Sequence, residues 1–193
     1  MSLRAVLFDF DGLLFDTEKL YLRFWIEAAQ KMGFDLRVED ALKLRSCDSQ
    51  LAKEIIKNVV TQQNIYDEMR KIRKKLMREY ISEHGYEIKP GAKELAMYIR
   101  DNMRVKSLVV TSTNAESKKE ILKNHGILEC FDDVISADVT NMGKPYPDVY
   151  LYACKKINEE PDSCVALEDS PNGVESAFRA GLNVIMVPDL SQP

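Results

Sequence analysis

Along most of this chain, short apolar runs bounded by turn residues alternate with stretches of helical periodicity. Ala5-Val6-Leu7-Phe8 is a brief apolar run that ends in Asp9-Phe10-Asp11-Gly12, the pattern of a buried strand and its exit turn. From Thr17 to about Gly85 the spacing is helical instead. Leu20, Phe24 and Ala28 recur four apart, and Ile65, Met69, Ile72, Leu76 and Tyr80 repeat the pattern. This stretch predicts a small bundle of about four helices.

After Lys89-Pro90-Gly91 strands and helices alternate. A helix is predicted over Ala92–Arg100, then a strand over Ser107–Val110 running into Thr111-Ser112-Thr113-Asn114. Ala115–His125 reads as a helix stopped by Gly126, and Asp133–Ile135 as a short strand. Pro147–Ile157 is a helix, Cys164–Leu167 a strand, Gly173–Ala180 a helix, and Asn183–Val187 the last strand. Such alternation implies an α/β fold with a parallel sheet. The helical segment then interrupts this domain after its first strand. Residues 1–15 and 88–193 would form the catalytic core, and residues 16–87 an inserted α-helical cap. The crossings near Asp16-Thr17 and over Gly85–Pro90 would be the hinges.

The 193 residues carry 27 basic and 31 acidic side chains, a net charge of −4, so charge does not suggest a nucleic-acid binder. No apolar run approaches a membrane span, and no secretory leader is read at the N-terminus. No two of the four cysteines form a C-x-x-C pair, and a reducing, cytoplasmic setting is expected. With two histidines, any metal should be a hard cation held by oxygens. Residues 16–85 hold 14 basic and 12 acidic side chains, a balance of +2, which leaves −6 for the remainder. An acidic core under a mildly basic cap suits a metal below and an anionic substrate above, although ordinary surface variation gives the same balance.

Ligands of an open parallel sheet bind beyond the carboxyl ends of its strands. Asp9 and Asp11, two apart in an extended segment, point to one side and need a cation or a shared proton. With Mg²⁺ bound, Asp9 could attack phosphorus and form an aspartyl phosphate. Asp11 could protonate the leaving alcohol and then activate water. A plain turn remains the alternative. A calcium loop needs its glycine two positions later than Gly12. Thr111, Ser112 and Thr113 could hold phosphoryl oxygens, or Thr111 could cap the next helix. Lys144 could neutralise the aspartate and the phosphoryl group, or be a solvated lysine before a turn proline. Glu168 and Asp169 end another buried strand. Asp169 is expected to reach a metal more directly than Glu168, unless both sit on a solvated loop.

In order and spacing these segments are more specific than any is alone. Asp9-Phe10-Asp11-Gly12-Leu13-Leu14-Phe15-Asp16-Thr17, the Thr111 strand end, Gly143-Lys144-Pro145-Tyr146-Pro147-Asp148 and Glu168-Asp169-Ser170-Pro171-Asn172-Gly173 resemble the haloacid dehalogenase-like hydrolase superfamily. The helical insertion is similar to that of the β-phosphoglucomutase-like branch. The resemblance implies a Rossmann-like core, Mg²⁺ as cofactor and phosphoryl transfer through Asp9. Asp11 would be the acid/base, with its backbone carbonyl a metal ligand. Thr111 and Lys144 would bind phosphate, and Asp9, Glu168 and Asp169 would complete the metal site.

Asp11 argues against dehalogenation, because a halide leaves without a proton. Sugar phosphomutases of this branch carry a histidine early in the first cap helix, near Tyr21 here, and a glycine-containing loop with a basic residue, which here reads Leu42-Lys43-Leu44-Arg45-Ser46-Cys47-Asp48. These departures favour a phosphatase acting as a monomer on a small phosphorylated metabolite. A phosphomutase and a non-catalytic binding protein are the alternatives. Arg70, Lys71, Arg73, Lys74, Lys75 and Arg78 read mainly as a solvated helix surface, with Lys74 or Lys75 as the candidate contact to a substrate's distal group. Phe24, Trp25, Met32, Met69, Met77 and Met97 read as packing.

Overall fold

A computed structural model describes residues 2–44, 49–59 and 65–188. The core is a five-stranded, fully parallel sheet of order β3-β2-β1-β4-β5. The strands are β1 (Ala5–Phe8), β2 (Lys106–Thr111), β3 (Asp133–Ser136), β4 (Cys164–Glu168) and β5 (Asn183–Met186). The central β1 pairs with β2 on one side and β4 on the other, Phe8 lying level with Val109 and Leu167. The chain builds one side first and then crosses to the other. The carboxyl end of β1 is therefore the switch point where such sheets bind ligands.

Strands β1 to β4 are buried on both faces, so they carry apolar runs rather than alternating, while the edge strand β5 leaves Ile185 and Met186 exposed. Val6, Phe8, Val109 and Val134 pack with α5 (Ala92–Asn102) and α6 (Ala115–Asn124) through Ala96, Ile99, Ile121 and Leu122. Ala5, Leu7, Leu108 and Val110 pack with α7 (Asp148–Ile157) and α8 (Pro171–Arg179) through Val149, Tyr150, Ala153 and Ala177. The last helix starts two residues before the predicted Gly173, because the Ser170 side chain caps it and Pro171 takes the first turn, where its missing N–H costs nothing. Cys130, Cys154 and Cys164 are buried free thiols.

Between β1 and α5 run α1 (Glu18–Lys31), α2 (Val38–Leu42), α3 (Ser49–Val59) and α4 (Ile65–His84). Leu20, Phe24 and Met77 pack together, with Phe24 and Tyr80 ring centroids 5.7 Å apart. Trp25, Ile56, Tyr66 and Met69 form a second cluster. Phe24, Met69 and Met77 are packing residues as expected, but Met97 is exposed on α5. The entering and leaving segments lie side by side: Asp16 donates its N–H to the Glu87 carbonyl and Lys89 donates to Leu14, both at 2.9 Å.

Candidate active site

The four strand ends expected to carry chemistry do converge at the switch point. Asp9 follows β1 and is buried at 3% exposure. Its Oδ1 accepts from Lys144 Nζ at 2.6 Å. The same ammonium lies 2.7 Å from Glu168 Oε1 and donates to the Val110 carbonyl at 3.3 Å. Lys144 is thus no solvated lysine. It is one of the largest fully buried side chains, bridging two carboxylates from different strands.

Asp9, Glu168 and Asp169 each offer an oxygen within 4.8 Å of the others, all three buried. Both acids of the Glu168-Asp169 pair stand in this cluster. Asp169 lies past the end of β4, where the turn brings it back beside Glu168. Glycines permit this crowding. Gly12 has φ +88°, and a Cβ there would collide with the Asp169 carboxylate, while a Cβ at Gly173 would collide with that of Glu168. Asp9 Oδ2 and Glu168 Oε2 are buried without a hydrogen-bond partner among the described residues.

Burial pushes Asp9 above the usual carboxylate range, against the pull of Lys144, with Asp11 adding to the rise. Burial likewise pushes Glu168 up to about 8, although Lys144 opposes it. Burial disfavours the Lys144 charge, but Asp9 and Glu168 outweigh it and hold that ammonium above its ordinary value. Asp9 and Glu168 share the single Lys144 ammonium in a dry site, so two carboxylates face one counter-charge. Orphaned, hard oxygen donors with excess negative charge fit a small divalent cation such as Mg²⁺.

The Asp11 carboxylate stands outside this cluster. Lys118 Nζ contacts Asp11 Oδ1 at 3.0 Å and Oδ2 at 2.9 Å, and the Thr17 hydroxyl donates to Oδ1 at 2.8 Å. Asp9 and Asp11 therefore each have a lysine partner from a distant segment. Thr111 is buried, and its Oγ1 accepts from the Thr113 N–H at 3.2 Å. It is not the α6 cap, since Asn114 holds that place by accepting from the Ser117 N–H at 3.1 Å.

Two residues of this site escaped the sequence reading. Lys118 is buried and lies 4.0 Å from the Phe10 ring centroid. It shares a helix face with Ile121 and Leu122, three and four residues on, and that spacing was the available signal. Tyr150 is fully buried, donates its hydroxyl to Glu168 Oε1, and lies on the buried face with Ala153 and Cys154.

Above these groups opens a cavity of about 780 Å³. Asp9, Asp11, Ser112, Thr113 and Lys118 line it from the sheet side, and Tyr21, Trp25, Arg70, Arg73, Lys74 and Arg78 from the helices. Trp25, expected as packing alone, is buried but also reaches this cavity. The loop expected to carry a mutase's basic residue lies outside the described residues from Arg45 to Asp48.

The sequence profile of the haloacid dehalogenase-like hydrolase family matches residues 3–181. The chain belongs to that family. A phosphorylated carbohydrates phosphatase from Thermotoga maritima is 27% identical over 187 residues, covering 95% of this chain and 84% of the relative. A (DL)-glycerol-3-phosphatase from Arabidopsis thaliana is 30% identical over 200 residues, covering 97% and 80%. A solved structure from Bacteroides vulgatus, with beta-phosphoglucomutase as its suggested activity, is 25% identical at a TM-score of 0.82. It covers 97% of this chain and 76% of that one. The hydrolase therefore sits among the β-phosphoglucomutase-like members of the family, on the Rossmann-like core that the sequence implied.

Proposed function

We propose that this hydrolase is a Mg²⁺-dependent phosphatase that cleaves a small phosphate monoester through an aspartyl phosphate on Asp9. The observation that carries the reading is Asp9 itself. One oxygen is pinned by a buried lysine, the other is unbonded, and the residue opens onto a cavity large enough for a metabolite.

An oxygen of the Asp9 carboxylate is the attacking atom, and Lys144 holds that carboxylate in orientation and offsets charge on the transferring group. The Thr111 hydroxyl and the groups of Ser112 and Thr113 bind the phosphoryl oxygens. Asp11 gives its proton to the leaving alkoxide and takes one from the water that opens the acyl phosphate. Thr17 and Lys118 fix where that carboxyl stands. Asp9, Glu168 and Asp169, with the Asp11 backbone carbonyl, would hold Mg²⁺, which supplies positive charge to the phosphoryl oxygens when bound. Residues 16–87 act as the cap, closing over a phosphorylated metabolite while the protein works as a monomer.

Incubation with p-nitrophenyl phosphate and Mg²⁺ tests this. Turnover by the wild type is expected, with loss of at least about 10³-fold in Asp9→Asn. An inactive wild type, or an Asp9→Asn variant of undiminished rate, overturns it. Incubation with β-glucose 1-phosphate separates the readings further, since isomerisation without phosphate release would mark a mutase.

A further inference from the structure

The six positive charges of α4 do not share one environment. Lys71 pairs with Glu68 at 2.7 Å and Lys75 lies 3.9 Å from Glu79, both on the outer surface. Arg70, Arg73, Lys74 and Arg78 instead line the cavity over Asp9. None of these four makes an ion pair with an acidic side chain among the described residues. Arg70, Lys74 and Arg78 follow one another at four-residue spacing, so they form a strip about 12 Å long on one helix face.

A strip of like charges with no counter-charge is unfavourable by itself. Burial, and then Arg70, Arg73 and Arg78, hold the Lys74 ammonium below its ordinary value. Arg73 carries the cost further. It is 7% exposed, stacks 4.6 Å from the Tyr21 ring centroid and 4.8 Å from that of Trp25, and leaves its buried Nε without a hydrogen-bond partner. The Arg73 guanidinium at the cavity wall therefore has aromatic neighbours but no acidic partner among the described residues. Among the described residues the acidic groups on the cavity come from other segments: Asp9 and Asp11 already have lysine partners, and Glu18 and Asp138 lie at the start of α1 and after β3.

We propose that the substrate carries a second oxyanion, distal to the phosphate at Asp9, and that Arg70, Lys74 and Arg78 receive it. The class is a bis-anionic phosphate ester, either a bisphosphate or a phosphorylated carboxylic acid, rather than a neutral alcohol's monophosphate. The proposal rests on the phosphatase reading only for where the first phosphate sits.

Binding is measured by calorimetry on Asp9→Asn with magnesium present, so that turnover is not needed. The probes are α,ω-alkanediol bisphosphates of increasing chain length, the matching alkyl monophosphates, and ω-phosphonooxy carboxylates of the same lengths. At least one bis-anion is expected to bind about tenfold or more tightly than its monophosphate partner. Arg70→Gln, Lys74→Gln and Arg78→Gln in that background should bring the ratio towards one. Lys71→Gln and Lys75→Gln, which remove the same charge from the same helix, should leave the ratio intact. The better of the two bis-anion series identifies the oxyanion. The proposal is overturned if no bis-anion of any length is preferred, or if all five substitutions lower the ratio equally. The second result would reduce the effect to net charge. Loss of p-nitrophenyl phosphate turnover in the wild type would sink the phosphatase reading and leave this binding test standing.

Discussion

Gly173→Ala sets two effects of opposite sign against each other. The residue is helical, and helix propensity alone favours alanine by about 1 kcal/mol. The space forbids it, because the added Cβ would collide with the Glu168 carboxylate. That carboxylate cannot swing aside: it is fully buried, bonded to Tyr150, and 2.7 Å from Lys144. Relief comes either from shifting α8, an overpacking strain of about 1–3 kcal/mol, or from parting Glu168 from Lys144, about 3–5 kcal/mol. The first route is cheaper and still costly, since α8 is anchored at Ser170 and Pro171. The net expectation is a loss of up to about 2 kcal/mol, lowering Tm by up to about 8 °C in a chain of this size. Turnover should fall by about 10²-fold, because the shift displaces Glu168 and Asp169. Urea titration and p-nitrophenyl phosphate kinetics read both effects. Gly33→Ala is the comparison: nothing crowds that position, but its φ of +82° disfavours alanine, so stability should drop by about 1 kcal/mol with turnover unchanged. A Gly173→Ala protein more stable than wild type and equally active would refute the steric reasoning.

Asp11→Asn should slow hydrolysis of an alkyl phosphate by about 10²–10⁴-fold while affecting p-nitrophenyl phosphate less, because nitrophenolate leaves without a proton; equal losses would remove Asp11 from the acid role. Saturating Mg²⁺, at about 100-fold over its Kd, should stabilise the wild type by about 2.7 kcal/mol, visible in a thermal melt. A Glu168→Gln, Asp169→Asn double variant that kept this gain would place the ion elsewhere. Hydrogen bonds from Lys43 and Arg37 hold the Asp40 carboxyl below its usual range. A depressed carboxylate contributes stability above its unfolded pKa and loses it as pH falls through the folded one. Wild type should therefore melt above Asp40→Asn at neutral pH, with the gap shrinking once pH drops below about 3.9; a gap that widened in acid would contradict the assignment.

The inner strands were legible because both of their faces are covered, leaving runs such as Leu108-Val109-Val110 without interruption. Helix edges were less so. The helix was expected from Gly173, and the Ser170 cap shows Pro171 to be the first residue of α8. At the site, the residues at strand ends could be named in advance, because topology alone brings strand ends together. Pairings could not. Nothing local in Gly143-Lys144-Pro145 says that the lysine is buried against Asp9, 135 residues away. Lys118 lay in a helix whose other lysines are partly exposed, and it is held inside by Asp11 and the Phe10 ring, 107 and 108 residues distant in sequence. On α4, composition gave six positive charges, and the split between surface and cavity depends on where Glu68 and Glu79 stand.

The two charge imbalances face the same space, and that limits what can fill it. If the cations of α4 and the carboxylates of the sheet were meant to neutralise each other, arginine–carboxylate pairs would close the cavity. Among the described residues, Asp9 pairs with Lys144 and Asp11 with Lys118, both from the core, while Arg70, Lys74 and Arg78 pair with no carboxylate. Each side keeps a surplus that the other does not reach. A ligand that satisfies both must present a cation to Asp9, Glu168 and Asp169 and an anion to α4. A neutral metabolite does neither, and a bare monophosphate serves only the sheet side. A phosphate ester entering with a divalent cation at one end and an oxyanion at the other meets both demands at once. Its binding energy would then draw α4 towards the sheet, excluding water from Asp9 at the moment the reaction needs it.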